Sequence, residues 1–163
     1  MPNWCENHLY IEASEGEILN ILAAKDSLLN YMRPQPDQPE GDWGDSAIPA
    51  WYNWRVENWG TKWDVQADIA PQSATALVIM FDSAWSPPIA AIRHWESQDS
   101  ENRSFNLRFI EWGMAFCGEE DSDGTSYVVN IPANAKDCEE VIPIELDEEF
   151  GICDTVAQWD TID

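Results

Sequence analysis

Apolar and polar residues alternate over residues 7–13, which puts Leu9, Ile11 and Ala13 on one side of the chain and predicts a strand. The period then changes. Ser14 and Glu17 form an S-x-x-E capping box, and behind it Ile18, Ile21, Leu22, Leu28 and Leu29 recur at helical spacing, predicting an amphipathic helix over residues 15–30. Pro34, Pro36, Pro39, Gly41 and Gly44 break any regular pattern across residues 33–49, so that stretch is expected as a surface excursion. Tyr52, Val56 and Trp59 fall at i, i+4 and i+7. They predict a short helix over residues 49–59, closed by Gly60 in the left-handed conformation.

Residues 62–70 and 74–82 read as a hairpin turning near residues 71–73. The unbroken apolar run ALVIMF places its second strand centrally in the sheet. Ser86 is expected to cap the next helix with Pro87 at its first position, leaving Ile89, Ile92 and Trp95 to face the sheet. Phe105, Leu107 and Phe109 alternate in a further strand, and Gly113 marks a bulge or bend. Residues 114–118 and 125–131 suit another hairpin around the acidic turn EEDSDG. A weaker helical pattern runs through Leu146, Phe150, Cys153, Val156 and Trp159, interrupted by Gly151. The order strand–helix–strand–strand–helix–strand is the split-βαβ, ferredoxin-like plan, an α+β fold with helices on one face of a mostly antiparallel sheet. The expected domain covers residues 1–132, with residues 133–163 as an acidic C-terminal extension packed on it.

Charge narrows the function classes. Thirty-one Asp and Glu face eight Lys and Arg, a formal net charge of −23 over 163 residues. Such a field repels phosphate backbones and anionic headgroups and attracts basic protein surfaces. Direct binding of nucleic acid or membrane is therefore not expected, and a basic protein is the expected partner. No apolar run approaches the ~20 residues of a membrane span, and no basic-plus-apolar leader precedes the first strand, so a cytoplasmic protein is expected. The four cysteines, Cys5, Cys117, Cys138 and Cys153, form no C-x-x-C pair and in a reducing compartment read as buried or partly exposed thiols; the alternative, a secreted disulfide framework, lacks the support of a leader.

Four stretches carry a resemblance: Pro2-Asn3-Trp4-Cys5-Glu6-Asn7, Trp54-Arg55 with Asn58-Trp59-Gly60-Thr61-Lys62-Trp63-Asp64, Ala84-Trp85-Ser86-Pro87-Pro88, and Phe116-Cys117-Gly118. Taken in order over roughly residues 1–130, the set resembles the ferredoxin-like domain of Api-type phage and plasmid proteins. The resemblance implies a fold and a bacterial mobile-element setting. It brings no activity and no catalytic residues, and residues 34–49 and 137–163 lie outside the motif set.

Several constellations have two readings. Trp51, Trp54, Trp59 and Trp63 could stack nucleobases, but base-stacking domains need a basic field; anchoring a short helix onto the sheet fits the charge better. Glu119, Asp121, Asp123 and Gly124 approximate the start of a calcium loop, yet its twelfth position falls on Asn130 where a bidentate Glu is required, and an acidic hairpin turn accounts for the same residues. Cys5 and His8, joined by Cys117 and Cys138, could bind zinc only if the first strand bends, because an odd spacing sends them to opposite faces. Asn3, Asn7 and Asn58 read as ties for loop backbone. No phosphate loop, nucleophile elbow or H-E-x-x-H motif is present. No catalytic residue, cofactor or metal is therefore expected.

The carboxylates themselves remain as candidate chemistry. Glu119, Glu120, Asp121, Asp123, Asp137, Glu139, Glu140, Glu145, Asp147, Glu148, Glu149 and Asp154 are expected to present a partner-binding surface in place of phosphates, with Trp51, Trp54 or Phe150 as aromatic anchors. The mobile-element setting turns this into a DNA-mimicking inhibitor of a host defence system of the restriction or CRISPR type. Two alternatives stay open: an assembly module whose charge serves solubility, and a metal-dependent enzyme.

Overall fold

The computed structural model describes residues 2–37 and 48–162. In chain order it contains β1 (Trp4–Glu12), α1 (Glu15–Ala23), α2 (Leu28–Met32), α3 (Ala50–Asn58), β2 (Asp68–Ser73), β3 (Ala76–Ala84), α4 (Ile89–Ser97), β4 (Ser104–Glu111), β5 (Phe116–Asp121), β6 (Ser126–Asn130), α5 (Ala135–Val141), α6 (Ile144–Phe150) and α7 (Ile152–Asp160). The strands form one antiparallel sheet in the order β2-β3-β1-β4-β5-β6.

Register explains which side chains are buried. Leu9 on β1 sits between Ile79 of β3 and Leu107 of β4. The same parity carries Ile11, Leu77, Phe105 and Phe109 onto a first sheet face, where Ile18, Ile21, Leu28, Leu29, Ile92 and Trp95 of α1, α2 and α4 close the core. Residues of the other parity on β1, including Trp4, Glu6, His8 and Tyr10, point to the second face. Over β4–β6 that second face is also covered: Ile110, Cys117 and Ile131 meet Cys138, Ile142, Leu146, Ile152, Cys153 and Val156. Helices thus cover both faces, and the single-face expectation holds for α1–α4 alone. The consecutive pair Phe109-Ile110 already carried this signal, since neighbours on a strand face opposite ways.

The differences in local structure have tertiary causes. The helix predicted over residues 15–30 breaks at Ala24, and a 3₁₀ turn at Lys25–Ser27 leads into α2. There the Asp64 carboxylate accepts the Leu29 and Asn30 N–H groups at 2.8 and 3.1 Å, while Ala67 N donates to Lys25 O at 2.8 Å. Residues 62–67 are used in this contact, so the strand predicted from residue 62 begins at Asp68. Only half of the capping box forms: Ser14 Oγ accepts Glu17 N at 3.3 Å, but the Glu17 side chain turns into the core. Ser86 does not cap α4; its hydroxyl donates to Gly60 O at 2.5 Å, and the helix starts at Ile89.

Gly60 behaves as expected, with φ +88° and its N–H on the Arg55 and Val56 carbonyls, and a Cβ there would approach Pro87 O at 3.1 Å. Gly113 lies in a four-residue turn between β4 and β5, with no bulge, and the Asn3 side chain occupies the space a Cβ would need. Residues 34–37 and 48–49 belong to no helix or strand, as expected of the excursion; Pro39, Gly41 and Gly44 lie outside the described residues.

Candidate functional site

The C-terminal layer is held by its own polar residues. Asn134 caps α5, accepting Asp137 N at 2.9 Å. Asp147 accepts Cys153 N at 2.7 Å where Gly151, at φ +62°, turns α6 into α7. Asp160 accepts Ala135 N at 2.8 Å and ties the end of α7 to the start of α5. The layer's apolar stripe, Cys138, Leu146, Ile152, Cys153 and Val156, faces the sheet. That arrangement leaves Asp137, Glu139, Glu140, Glu145, Glu148, Glu149 and Asp154 exposed. Residues 133–163 hold ten carboxylates and one basic residue, Lys136.

The acids of β5 and its turn do not form one band. Glu119 points to the second face and bonds Arg108 Nε at 2.7 Å. Its neighbour Glu120 is buried on the first face, 2.6 Å from Arg93 and 2.7 Å from the Ser126 hydroxyl. Asp121 accepts the Asp123 and Thr125 N–H groups, shaping the turn from within. Partial burial opposes its ionisation, but hydrogen bonds from Thr125, Asp123 and Asn106 outweigh this and hold its pKa below the ordinary value. Only Asp123 of the four is exposed.

Glu149 links the helical layer to the open part of the second face. Its carboxylate reaches His8 Nδ1 at 2.5 Å and Arg108 at 3.4 Å, while His8 Nε2 lies 2.9 Å from Glu6. A neutral imidazole can donate only one of those two bonds. Beside them Glu6, His8, Gln66, Asp68, Met80 and Asp82 line a shallow cavity of about 340 Å³. Partial burial and the Glu6 charge raise the Asp82 pKa, and His8 partly offsets them.

A raised folded-state pKa means that the folded protein holds the Asp82 proton at a pH where the unfolded chain has released it. Asp82 therefore adds stability as pH falls through its raised value, and the gain is complete below the unfolded value. Asp121 acts in the opposite sense, losing stability as pH falls through its depressed value. Thermal melts should rise on mild acidification from pH 7 and fall in stronger acid. Asp82→Asn should melt higher than the parent at neutral pH and show a smaller acid gain; an unchanged acid gain would contradict this assignment.

Cations are distributed unequally. Arg108 is on the second face and already engaged, and Lys136 lies on α5. Lys25, Arg33, Arg55, Arg93 and Arg103 belong to the first-face helices and their connections, and Lys62 sits at the end of the sheet, 4.4 Å from the Trp63 ring. The α5–α7 layer and the adjoining sheet strip are thus strongly anionic.

The expected aromatic anchors are mostly used internally. Trp54 packs edge-on to Trp59 at 5.8 Å against the first core, and Phe150 lies 4.7 Å from the His8 ring in the second. Trp51 is exposed beneath Arg55. Among the apolar groups presented beside the acids are Val141 and Ile144, 48% and 67% exposed at the α5–α6 corner, with Trp159 and Ile162 exposed at the end of α7. The run Val141-Ile142-Pro143-Ile144 carried the signal, because a helix-breaking Pro lets only its Ile142 reach the core.

The four motif stretches converge at one end of the sheet. Trp85, at φ +71°, donates its N–H to Asn3 O at 2.9 Å, and Thr61 Oγ1 bonds Ala84 O at 2.8 Å. Asn58 ties Trp54 O, and Asn7 Nδ2 reaches Cys5 O, Phe81 O and Ser83 Oγ. No family model, curated protein or solved structure matches this chain. Cys5 and His8 do fall on opposite sheet faces, and among the described residues no group of three or more His, Cys, Asp and Glu side chains is arranged to hold a metal ion. No described helix is long and apolar enough to cross a membrane.

Proposed function

We propose that this is a non-catalytic binding protein whose acidic α5–α7 layer docks on the basic surface of a nucleic-acid-binding protein and takes the place of phosphates there. The observation that carries the reading is the segregation of charge. Eight exposed carboxylates of α5–α7, Asp160 among them, lie beside Glu6, Asp68 and Asp82, with Lys136 and the engaged Arg108 as the cations in that region. Val141 and Ile144, set among Glu139, Glu140, Glu145 and Glu148, supply the short-range apolar contact that charge alone cannot.

The core beneath is read as a split βαβ, ferredoxin-like unit extended by β5–β6 and the helical layer. The order β2-β3-β1-β4, with α1 and α4 on one face, supports it. The Api-type resemblance adds the setting, a phage or plasmid product acting on a host restriction or CRISPR-type system. Pairing through the β2 edge is disfavoured, because Pro71 and a register shift before Ser73 interrupt that strand.

The test is a direct titration against purified restriction and CRISPR-type nucleases, with labelled duplex DNA as competitor. Affinity should fall about tenfold or more as salt rises over a few-fold range, as charge-dominated contacts do, and bound duplex should be displaced. Ile144→Ser should weaken binding by about tenfold, with an unchanged melting temperature. Salt-independent self-association would support the assembly-module reading in its place.

A further inference from the structure

The second core holds three thiols, and two of them touch. Cys153 Sγ lies 3.0 Å from Cys138 Sγ, about 1 Å beyond the ~2.05 Å of a disulfide. Cys138 is on α5 and Cys153 is in the first turn of α7; both are buried, and the two helices pack directly on one another. We propose that Cys138 and Cys153 are a disulfide-forming pair that locks α5 to α7. The α5–α7 layer they would bridge carries nine carboxylates and one Lys, so its helices repel one another, and a covalent tie opposes that repulsion.

The reaction is thiol–disulfide exchange with a low-molecular-weight disulfide as oxidant. The Cys153 thiolate attacks one sulfur of the oxidant, forming a mixed disulfide and releasing one thiol. Cys138 then loses its proton and attacks the Cys153 sulfur, expelling the second thiol. Two electrons pass from the protein sulfurs to the oxidant, and the two thiol protons go to the released thiolates. Burial and the neighbouring Cys138 push the Cys153 thiol up, so thiolate is scarce in the closed layer. Exchange therefore runs while the layer is open or still folding. Cys117 is the competing partner; burial and the nearby Cys138 push its thiol up to about 12.

The experiment refolds the full chain from denaturant in a buffer of mostly oxidised glutathione, so that burial cannot block access. Free thiols are then counted after denaturation, and the proteolytic fragments are mapped by mass. The expected product has lost two hydrogens, keeps Cys5 and Cys117 as thiols, and yields one crosslinked peptide pair containing Cys138 and Cys153. Its melting temperature should exceed that of the reduced protein by roughly 5–10 °C, as a short closed loop implies. Cys153→Ala should lose this shift; if that variant does not fold, the peptide map of the native chain decides. Four thiols after refolding, or a crosslink through Cys117, would overturn the proposal.

Discussion

Glu17→Ala should destabilise the protein by about 3–5 kcal/mol, the cost of leaving a buried charge without its partner. The Glu17 carboxylate is nearly inaccessible; it accepts Trp95 Nε1 at 2.9 Å and the Tyr31 hydroxyl at 2.8 Å, and forms an ion pair with Arg103 at 3.2 Å. Arg103 in turn holds Trp95 O at 2.8 Å and stacks over the Trp95 ring at 5.1 Å. Removing Glu17 strands a guanidinium, an indole N–H and a phenol together. Glu17→Gln should cost less, since an amide can still accept one of those bonds. Pairing Glu17→Met with Arg103→Leu should recover much of the loss, because no unpaired charge then remains. Denaturant melts of the parent and these three variants check this; a double variant no more stable than Glu17→Ala would contradict it.

Gly118→Ala is the second large effect. A Cβ at this β5 position would lie 2.5 Å from Phe109 Cζ and run into the Tyr127 carbonyl of β6. The obstruction is backbone on one side and a fully buried ring on the other, so neither can move cheaply. The expected cost is about 3 kcal/mol, a fall of roughly 6–12 °C in melting temperature for a chain of this size. Gly16 provides the opposite case within the same fold. It is in the first turn of α1, a Cβ would meet nothing within 4 Å, and Gly16→Ala should stabilise by about 0.5–1 kcal/mol. Equal effects at the two glycines would mean that the β5–β6 packing described above is wrong.

Strand parity was the most legible part of this chain. Leu9 and Ile11, then Phe105, Leu107 and Phe109, announce their face by alternation alone, and Gly60 announces the end of α3. Glu17 was legible only in part. Its spacing from Ser14 signals a helix start, but Trp95 and Arg103 compete for the same carboxylate and arrive only when the sheet forms. Asp64 likewise breaks the helix predicted over residues 15–30 from more than thirty residues away.

The acidic surface was legible by count and illegible by position. Glu119 and Glu120 are adjacent in sequence, yet the β4–β5 register sends them to opposite faces, one to Arg108 and one to Arg93. Asp137, Asp147 and Asp160 hold helix ends, which their sequence neighbours do not reveal. Phe150, expected as an exposed anchor, is placed by α6 against the His8 ring.

The proposed docking resides on one acidic face and is not a property of total charge. Two triple variants with identical charge changes test it most directly: Glu140→Gln, Glu145→Gln and Glu148→Gln in the helical layer, against Glu15→Gln, Asp26→Asn and Glu57→Gln on the first-face elements, all six being exposed. Both are titrated at low salt against a nuclease that binds the parent. The layer variant should lose tenfold or more in affinity while the other stays within about twofold. Equal losses in the two variants would contradict a docking face and reduce the charge to a solubility device.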